Sequence, residues 1–477
     1  MDASTRHGRS TVVPASVVGG RNPLIDDVDV LRHLSPFLRN GGFLFIAAVS
    51  RRWREAWIAD HPRQTTLAAA VQTPSRLVCA MKGGCRWDEI ICSKAAEGGH
   101  LETLRYARGK GCPWDEATCT SAARAGRLSV LQWARNNRCP WNKDTCRVAA
   151  LAGNLPELQW ARTNGCPWDE QVPAAAIVGG HFHVLQWARA NGCPWDDTTC
   201  TAAARCHRLE MLQWCRDNGC PWSKQTAEAA ALAGDLEILQ WAMGNGCAWD
   251  EMVSAAAARG GHLALLQWSI ANGCPWNEQT CAEAARGGYL RVLQWSSLNG
   301  CPWNERTCVA AAAGNHLSVL QWARANHCPW NERTCTAAAA AGHLEVLQWA
   351  RGNGCPWNSR TCIVAAMRGH LHVLKWARAN GCPWSGYECT LAASGGHLAV
   401  LQWCRDNGGS WNTFTCRAAA RKGHLEVLQW ARANGCPWDS WVGSAAASSR
   451  HYALIEWARS NGCPGLITRS ASICTIA

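Results

Sequence analysis

The sequence predicts an all-α fold, an α-solenoid built from helix–turn–helix repeats. A Cys-Pro-Trp tripeptide or a near copy recurs every 27 residues from Cys85 to Cys436. Fourteen tryptophans, from Trp87 to Trp438, keep this spacing without a gap. The chain has 477 residues, more than the roughly 250–300 at which a single hydrophobic core stops growing. These observations predict an array of equal units rather than one globular core.

The unit that starts at Trp330 shows where each helix is expected to begin and end. Asn331 is the predicted N-cap, since the residue after this Trp is Asp, Asn or Ser in all fourteen copies. Gly342 ends the first helix at a position that is Gly in eleven copies and suits φ > 0. The second helix presents its apolar residues in 344–349 on one face, and Pro356 prevents its continuation.

A second row of tryptophans runs from Trp133 to Trp457 at the same spacing, with Tyr106 in the first copy. A buried Trp removes roughly 150–250 Å² from water. We therefore expect both Trp rows to lie in the core and to hold neighbouring repeats together.

Residues 342–349, Gly-His-Leu-Glu-Val-Leu-Gln-Trp, resemble the Gly-His-Leu-Glu-Val-Val-Lys-Leu segment of ankyrin repeats. The Ala pair Ala338-Ala339 matches as well, and the resemblance covers residues 87–463. Thr334-Cys335 stands where ankyrin repeats have Thr-Pro-Leu-His, and the unit is six residues shorter. The resemblance implies a protein-binding solenoid of divergent ankyrin-like repeats that lack the β-hairpin finger.

The hexapeptide of residues 49–54, Val-Ser-Arg-Arg-Trp-Arg, resembles the end of an F-box, with Leu24-Ile25 where that family has Leu-Pro. The resemblance implies docking on the Skp-type adaptor of a cullin–RING ubiquitin ligase. Leu24, Leu34, Val49 and Trp53 are then the expected adaptor-binding residues. The alternative is a helical cap that only covers the first repeats.

These patterns divide the chain into five segments. We expect a disordered tail (residues 1–21), an F-box-like helical segment (22–60), a degenerate capping repeat (61–86), fourteen ankyrin-like repeats (87–463) and a C-terminal half-repeat or tail (464–477).

Composition restricts the cellular setting. Twenty-nine cysteines would suit a secreted disulfide scaffold, but the N-terminus lacks the apolar stretch of a signal peptide. The longest apolar run is also far below the roughly 20 residues of a membrane span. We expect a monomer in the cytoplasm or nucleus with free thiols and no membrane contact. The net charge of +12 comes from basic residues that are scattered along the chain. An acidic partner is kept as an alternative.

No enzyme motif is present: the sequence has no Gly-rich phosphate loop, no His-Glu-x-x-His and no placed nucleophile. We therefore expect no catalysis and no cofactor. We also expect no metal, because no Cys-x₂-Cys pair occurs. An Arg recurs in the second helix of eleven copies and is interpreted as a solvated row. On this reading the sequence argues against a nucleic-acid partner.

One position varies while the flanking structural positions are nearly constant. Three residues after each first-row Trp, at position N2 of the first helix, we expect exposed side chains. In the last six repeats this position carries three arginines and then three aromatics, residues enriched at binding hot spots. The predicted partner-binding stripe is Arg306, Arg333, Arg360, Tyr387, Phe414 and Trp441.

Two functions therefore remain open. The solenoid recruits a substrate protein to a ubiquitin ligase through the F-box-like segment, or it is a protein-binding scaffold without any link to ubiquitin.

Overall fold

A computed structural model describes residues 66–82 and 85–465. Within these ranges every regular element is an α-helix, and the helices follow one another in packed pairs. This confirms the predicted fold class, an α-solenoid of helix–turn–helix repeats. No helix in the described ranges has the length and apolar character needed to cross a membrane. The predicted F-box-like segment and its four adaptor-binding residues lie outside the described residues.

The chain divides into two compact units, one ending at Trp195 and the other starting at Asp196. The first unit contains ten helices in its described part: α1 (Leu67–Ala70), α2 (Pro74–Lys82), α3 (Glu89–Gly98), α4 (Leu101–Gly109), α5 (Glu116–Arg124), α6 (Leu128–Asn136), α7 (Lys143–Ala152), α8 (Leu155–Thr163), α9 (Gln171–Gly179) and α10 (Phe182–Ala190).

The second unit contains twenty helices in its described part: α11 (Asp197–Arg205), α12 (Leu209–Asp217), α13 (Lys224–Ala233), α14 (Leu236–Gly244), α15 (Glu251–Gly260), α16 (Leu263–Ala271), α17 (Glu278–Gly287), α18 (Leu290–Leu298), α19 (Glu305–Ala313), α20 (Leu317–Ala325), α21 (Glu332–Ala341), α22 (Leu344–Gly352), α23 (Ser359–Arg368), α24 (Leu371–Ala379), α25 (Glu388–Gly395), α26 (Leu398–Asp406), α27 (Thr413–Lys422), α28 (Leu425–Ala433), α29 (Ser440–Ser448) and α30 (Tyr452–Ser460).

Local sequence signals set the helix ends as expected. The Asn331 side chain accepts a hydrogen bond from the Arg333 amide at 3.0 Å and so caps α21. Gly342 closes that helix with φ +80°. His207, Asn315 and Arg450 take positive φ at the same position of their repeats, so the turn requires this conformation even where Gly is absent.

The core consists of small and aliphatic side chains. In the repeat of α21 and α22, the buried residues are Thr334, Cys335, Ala338, Ala339, Val346, Leu347 and Ala350. The Ala-rich first helices pack closely on one another within each unit, whereas successive second helices touch far less.

The expectation that both Trp rows lie in the core is wrong. Trp330 and Trp349 are half-buried, and their rings meet edge to face with centroids 6.0 Å apart. The same pairing recurs along both units. An indole is too large for a core lined by Ala and Cys, so each pair covers the outside of that core and leaves part of both rings in water.

Thiol and imidazole groups join segments that are distant in sequence. The Cys355 thiol donates to the Asn331 carbonyl at 3.4 Å, which ties the end of the second helix to the start of the first. Nε2 of His370 bonds the Ala340 carbonyl of the preceding repeat at 3.1 Å. The described cysteines are free, and most are buried. No group of three or more candidate metal ligands occurs in the described ranges.

The Arg row is structural, and its interpretation as a solvated row is wrong. The guanidinium carbon of Arg351 lies 4.4 Å from the ring centroid of Trp357, and its Nη1 donates to the Cys355 carbonyl at 2.6 Å. We call this arrangement the arginine clamp. Guanidinium–ring contacts of 4.1–4.5 Å join Arg108, Arg135, Arg162, Arg189, Arg216, Arg324, Arg351, Arg378, Arg405 and Arg432 to the Trp six residues later.

A candidate binding surface on the first helices

The structure places all six residues of the predicted stripe at the starts of first helices in the second unit. Arg306, Arg333 and Arg360 are exposed, and each lies at N2 because an Asn two residues earlier caps its helix. Tyr387, Phe414 and Trp441 expose 64%, 59% and 62% of their surfaces. Exposed aromatic side chains at equivalent positions of three consecutive repeats form a candidate binding surface.

Tyr387 departs from the predicted N2 position, because α25 starts later than its counterparts. Gly386 takes φ +87°, and Tyr387 becomes the N-cap residue. The buried Glu388 carboxylate accepts hydrogen bonds from the amides of Ser385 and Gly386 at 2.8 and 3.0 Å. The Tyr387 ring nevertheless stays exposed at the helix start.

Phe414 and Trp441 border an open groove of about 780 Å³ that crosses three first helices. Its lining comprises Thr390, Ser394, Phe414, Arg417, Ala418, Arg421, Lys422, Trp441, Ser444, Ala445 and Ser448. The groove falls within the roughly 300–1,000 Å³ of typical ligand sites. Small side chains such as Ala418 and Ala445 lie between the aromatic rings and the basic end formed by Arg421 and Lys422.

Arg417 is fixed between the two aromatic rings. Its guanidinium carbon lies 4.9 Å from the ring centroid of Phe414 and 5.8 Å from that of Trp441. Its Nε donates to Asp439 at 2.9 Å, and Nη2 contacts the other carboxylate oxygen. The hydrogen bonding from Arg417 holds the pKa of Asp439 below its usual value. Asp439 also accepts from the Trp441 backbone amide at 3.1 Å, so one carboxylate positions the Arg417 side chain and the start of α29.

The groove carries excess positive charge. Arg421 and Lys422 are exposed, and neither forms an ion pair within the described ranges. Residues 357–465 contain eleven Arg and Lys against five Asp and Glu. The position two residues after the first-row Trp is acidic in eight of the ten earlier repeats but in none of the last four, which carry Ser359, Gly386, Thr413 and Ser440. The surface can therefore attract an anionic partner and pack flat or apolar groups against its rings.

Sequence reasoning found the exposed stripe but missed Arg417, Arg421 and Lys422. Phe414, Arg417 and Arg421 are spaced three and four residues apart, and so they share one helical face. That spacing was the available signal. The contact of Arg417 with Trp441 depends on how adjacent repeats pack.

Comparisons with known proteins agree with a helical repeat protein. No family model and no curated protein matches the chain. Similar solved structures include the pentatricopeptide repeat protein PPR10 in complex with an 18-nucleotide psaJ RNA element, at 15% identity and TM-score 0.34, covering 92% of this chain and 78% of that one. PPR10 from maize matches at 16% identity and TM-score 0.30, covering 91% and 76%. The human ASB11 ankyrin repeat domain matches at 14% identity and TM-score 0.29, covering 33% and 84%.

In the described ranges the chain itself shows the helix pairs of a helical repeat protein. No family model assigns these repeats to the ankyrin type. The argument against a nucleic-acid partner is wrong, since the similar structures include a repeat protein solved with bound RNA.

Proposed function

We propose that this chain is a binding scaffold and that a protein partner lies along the stripe and groove of the second unit. Three exposed aromatic side chains at equivalent positions of consecutive repeats carry the proposal. Arg, Tyr and Trp supply much of the energy of protein interfaces, and Asp439 holds Arg417 and the start of α29 in place before binding.

Affinity purification with the full chain and with the double variant Phe414→Ala, Trp441→Ala tests this proposal. The native chain should recover partner proteins from a nuclease-treated extract, and the double variant should recover smaller amounts of the same proteins. Tyr452→Ala is the matched control, because Tyr452 is 70% exposed but lies on a second helix outside the stripe. Identical recovery by native chain and double variant would contradict the proposal.

We further propose that the scaffold recruits its partner to a cullin–RING ubiquitin ligase. This rests on the resemblance of residues 22–60 to an F-box, and the alternative is a scaffold independent of ubiquitin. The full chain should bind a purified Skp-type adaptor directly. If it does not bind, the ubiquitin-independent scaffold is the function that stands.

Single-stranded RNA is a second candidate partner, favoured by the exposed rings beside Arg421 and Lys422. Bases stack on aromatic side chains, and basic groups follow the phosphates. A labelled single-stranded RNA oligonucleotide should then bind the native chain, with affinity that falls as salt rises and with clear loss in the Phe414→Ala, Trp441→Ala variant. Absence of binding at low salt would exclude this candidate. That the chain has no enzymatic activity stays a prediction, as does its location in the cytoplasm or nucleus.

A further inference from the structure

The arginine clamp is missing from three consecutive repeats of the second unit. Where the other repeats have Arg, the sequence has Met243, Ile270 and Ser297. Within the described ranges, no cationic group lies over the Trp six residues later, which is Trp249, Trp276 or Trp303. We call these three tryptophans the open Trp row. Their rings still contact the second Trp row, with centroids 5.7–6.1 Å apart, so the rings themselves keep their places.

The loss of each Arg also removes a hydrogen-bond donor. In most clamped repeats the guanidinium donates to the carbonyl four residues later, as Arg351 does with Cys355 at 2.6 Å. The corresponding carbonyls of Cys247, Cys274 and Cys301 have no Arg donor. Each of these repeats therefore keeps the ring and the acceptor that elsewhere hold a guanidinium.

The charge of this part of the chain has the opposite sign from the rest. Residues 222–303 contain seven Asp and Glu against four Lys and Arg, a net charge of −3 in a chain whose total is +12. Leu298, directly after Ser297, is 85% exposed and adds apolar surface beside the row. An excess of acidic residues in a segment whose aromatic rings no Arg covers favours a cationic ligand and disfavours a polyanion.

We propose that the open Trp row is a docking surface for an arginine-rich segment of a partner protein. The partner's guanidinium groups take the places that the chain's own Arg side chains occupy in the clamped repeats. Each stacks on one indole and donates to the carbonyl beside it. Arg fits this surface better than Lys, because a planar guanidinium can stack on a ring and donate a hydrogen bond at the same time. The proposal does not depend on the stripe, although the repeat of Trp303 also carries a stripe residue, Arg306.

The clamped repeats supply a direct test, since the missing side chains can be restored. In the triple variant Met243→Arg, Ile270→Arg, Ser297→Arg, the chain should cover its own rings and exclude the ligand. The probe is fluorescein-labelled nona-arginine, measured by fluorescence anisotropy with the full chain at about 150 mM salt, where distant surface charges are screened. Nona-lysine is the probe of equal charge. The native chain should bind nona-arginine at least about tenfold more tightly than nona-lysine.

The triple variant adds three positive charges, so a charge-matched control is needed. Gln240→Lys, Gln267→Lys, Gln294→Lys adds the same charge on the second helices, at a position where the chain itself has Lys375. The restored-Arg variant should bind nona-arginine about tenfold more weakly than this control. Equal weakening in both variants, equal affinity for the two peptides, or no binding of nona-arginine would each overturn the proposal. If the triple variant does not fold by circular dichroism, Ser297→Arg alone is compared with Gln294→Lys by the same criteria.

Discussion

Replacing Arg351 by Met reproduces at a clamped repeat what the chain already has at Met243. The change removes a guanidinium that lies 4.4 Å from the Trp357 ring and donates to the Cys355 carbonyl at 2.6 Å. The volume of the side chain is largely kept, so the loss isolates the clamp. A partly exposed cation–π contact is worth about 0.5–1 kcal/mol. A net hydrogen bond contributes about 0.5–1.5 kcal/mol.

We therefore expect Arg351→Met to lower the local opening free energy by about 1–2 kcal/mol, or about 5–30-fold in the opening equilibrium. A repeat array opens locally, so a global unfolding midpoint would dilute the effect. Hydrogen exchange of α22 and α23 measures it directly: their amides should exchange faster, while those of α13 stay unchanged. Arg351→Lys should give exchange rates between those of the native chain and Arg351→Met, because Lys keeps the charge but not the planar group. Unchanged exchange in α22 and α23 would refute the clamp as a stabilising contact.

Three further predictions test the second Trp row, a buried thiol and the F-box-like segment. Trp322→Ala should lower stability by about 2–3 kcal/mol, less than the loss of a fully buried Trp, because water can fill the space left by a half-buried ring. A loss above about 4 kcal/mol, measured by hydrogen exchange of α20, would show that Trp322 is a core residue. Burial raises the pKa of the Cys193 thiol to about 12 from 9.0, so above pH 9 the unfolded chain loses this proton and the folded chain keeps it. Stability should therefore fall as pH rises from 9 toward 12, and Cys193→Ala should flatten that decline in thermal unfolding measured against pH. Leu24→Asp with Leu34→Asp should abolish binding to a purified Skp-type adaptor without changing the helical circular dichroism; retained binding would contradict the docking role of these two residues.

The starts and ends of the helices could be read from the sequence because they depend on neighbours a few residues away. The N-cap Asn331 and the turn at Gly342 are set by hydrogen bonds and backbone angles within one turn of helix. The exposure of Arg333 and Phe414 follows from the same local geometry, since N2 of a capped helix faces away from the buried Thr and Cys that follow it.

Contacts across 20 or more residues were decided only by the tertiary structure. Whether an indole enters the core depends on the space between helices, and the Ala-rich first helices pack too closely to admit Trp349. The period of 27 residues showed that Arg417 and Trp441 belong to successive repeats but not that their side chains meet. The sequence by itself determined the repeat, its capping and its one variable exposed row, because those are local. The sequence also shows that three repeats lack the recurring Arg. The structure alone decided that this Arg clamps a Trp, because stacking requires the measured distance between a guanidinium and a ring.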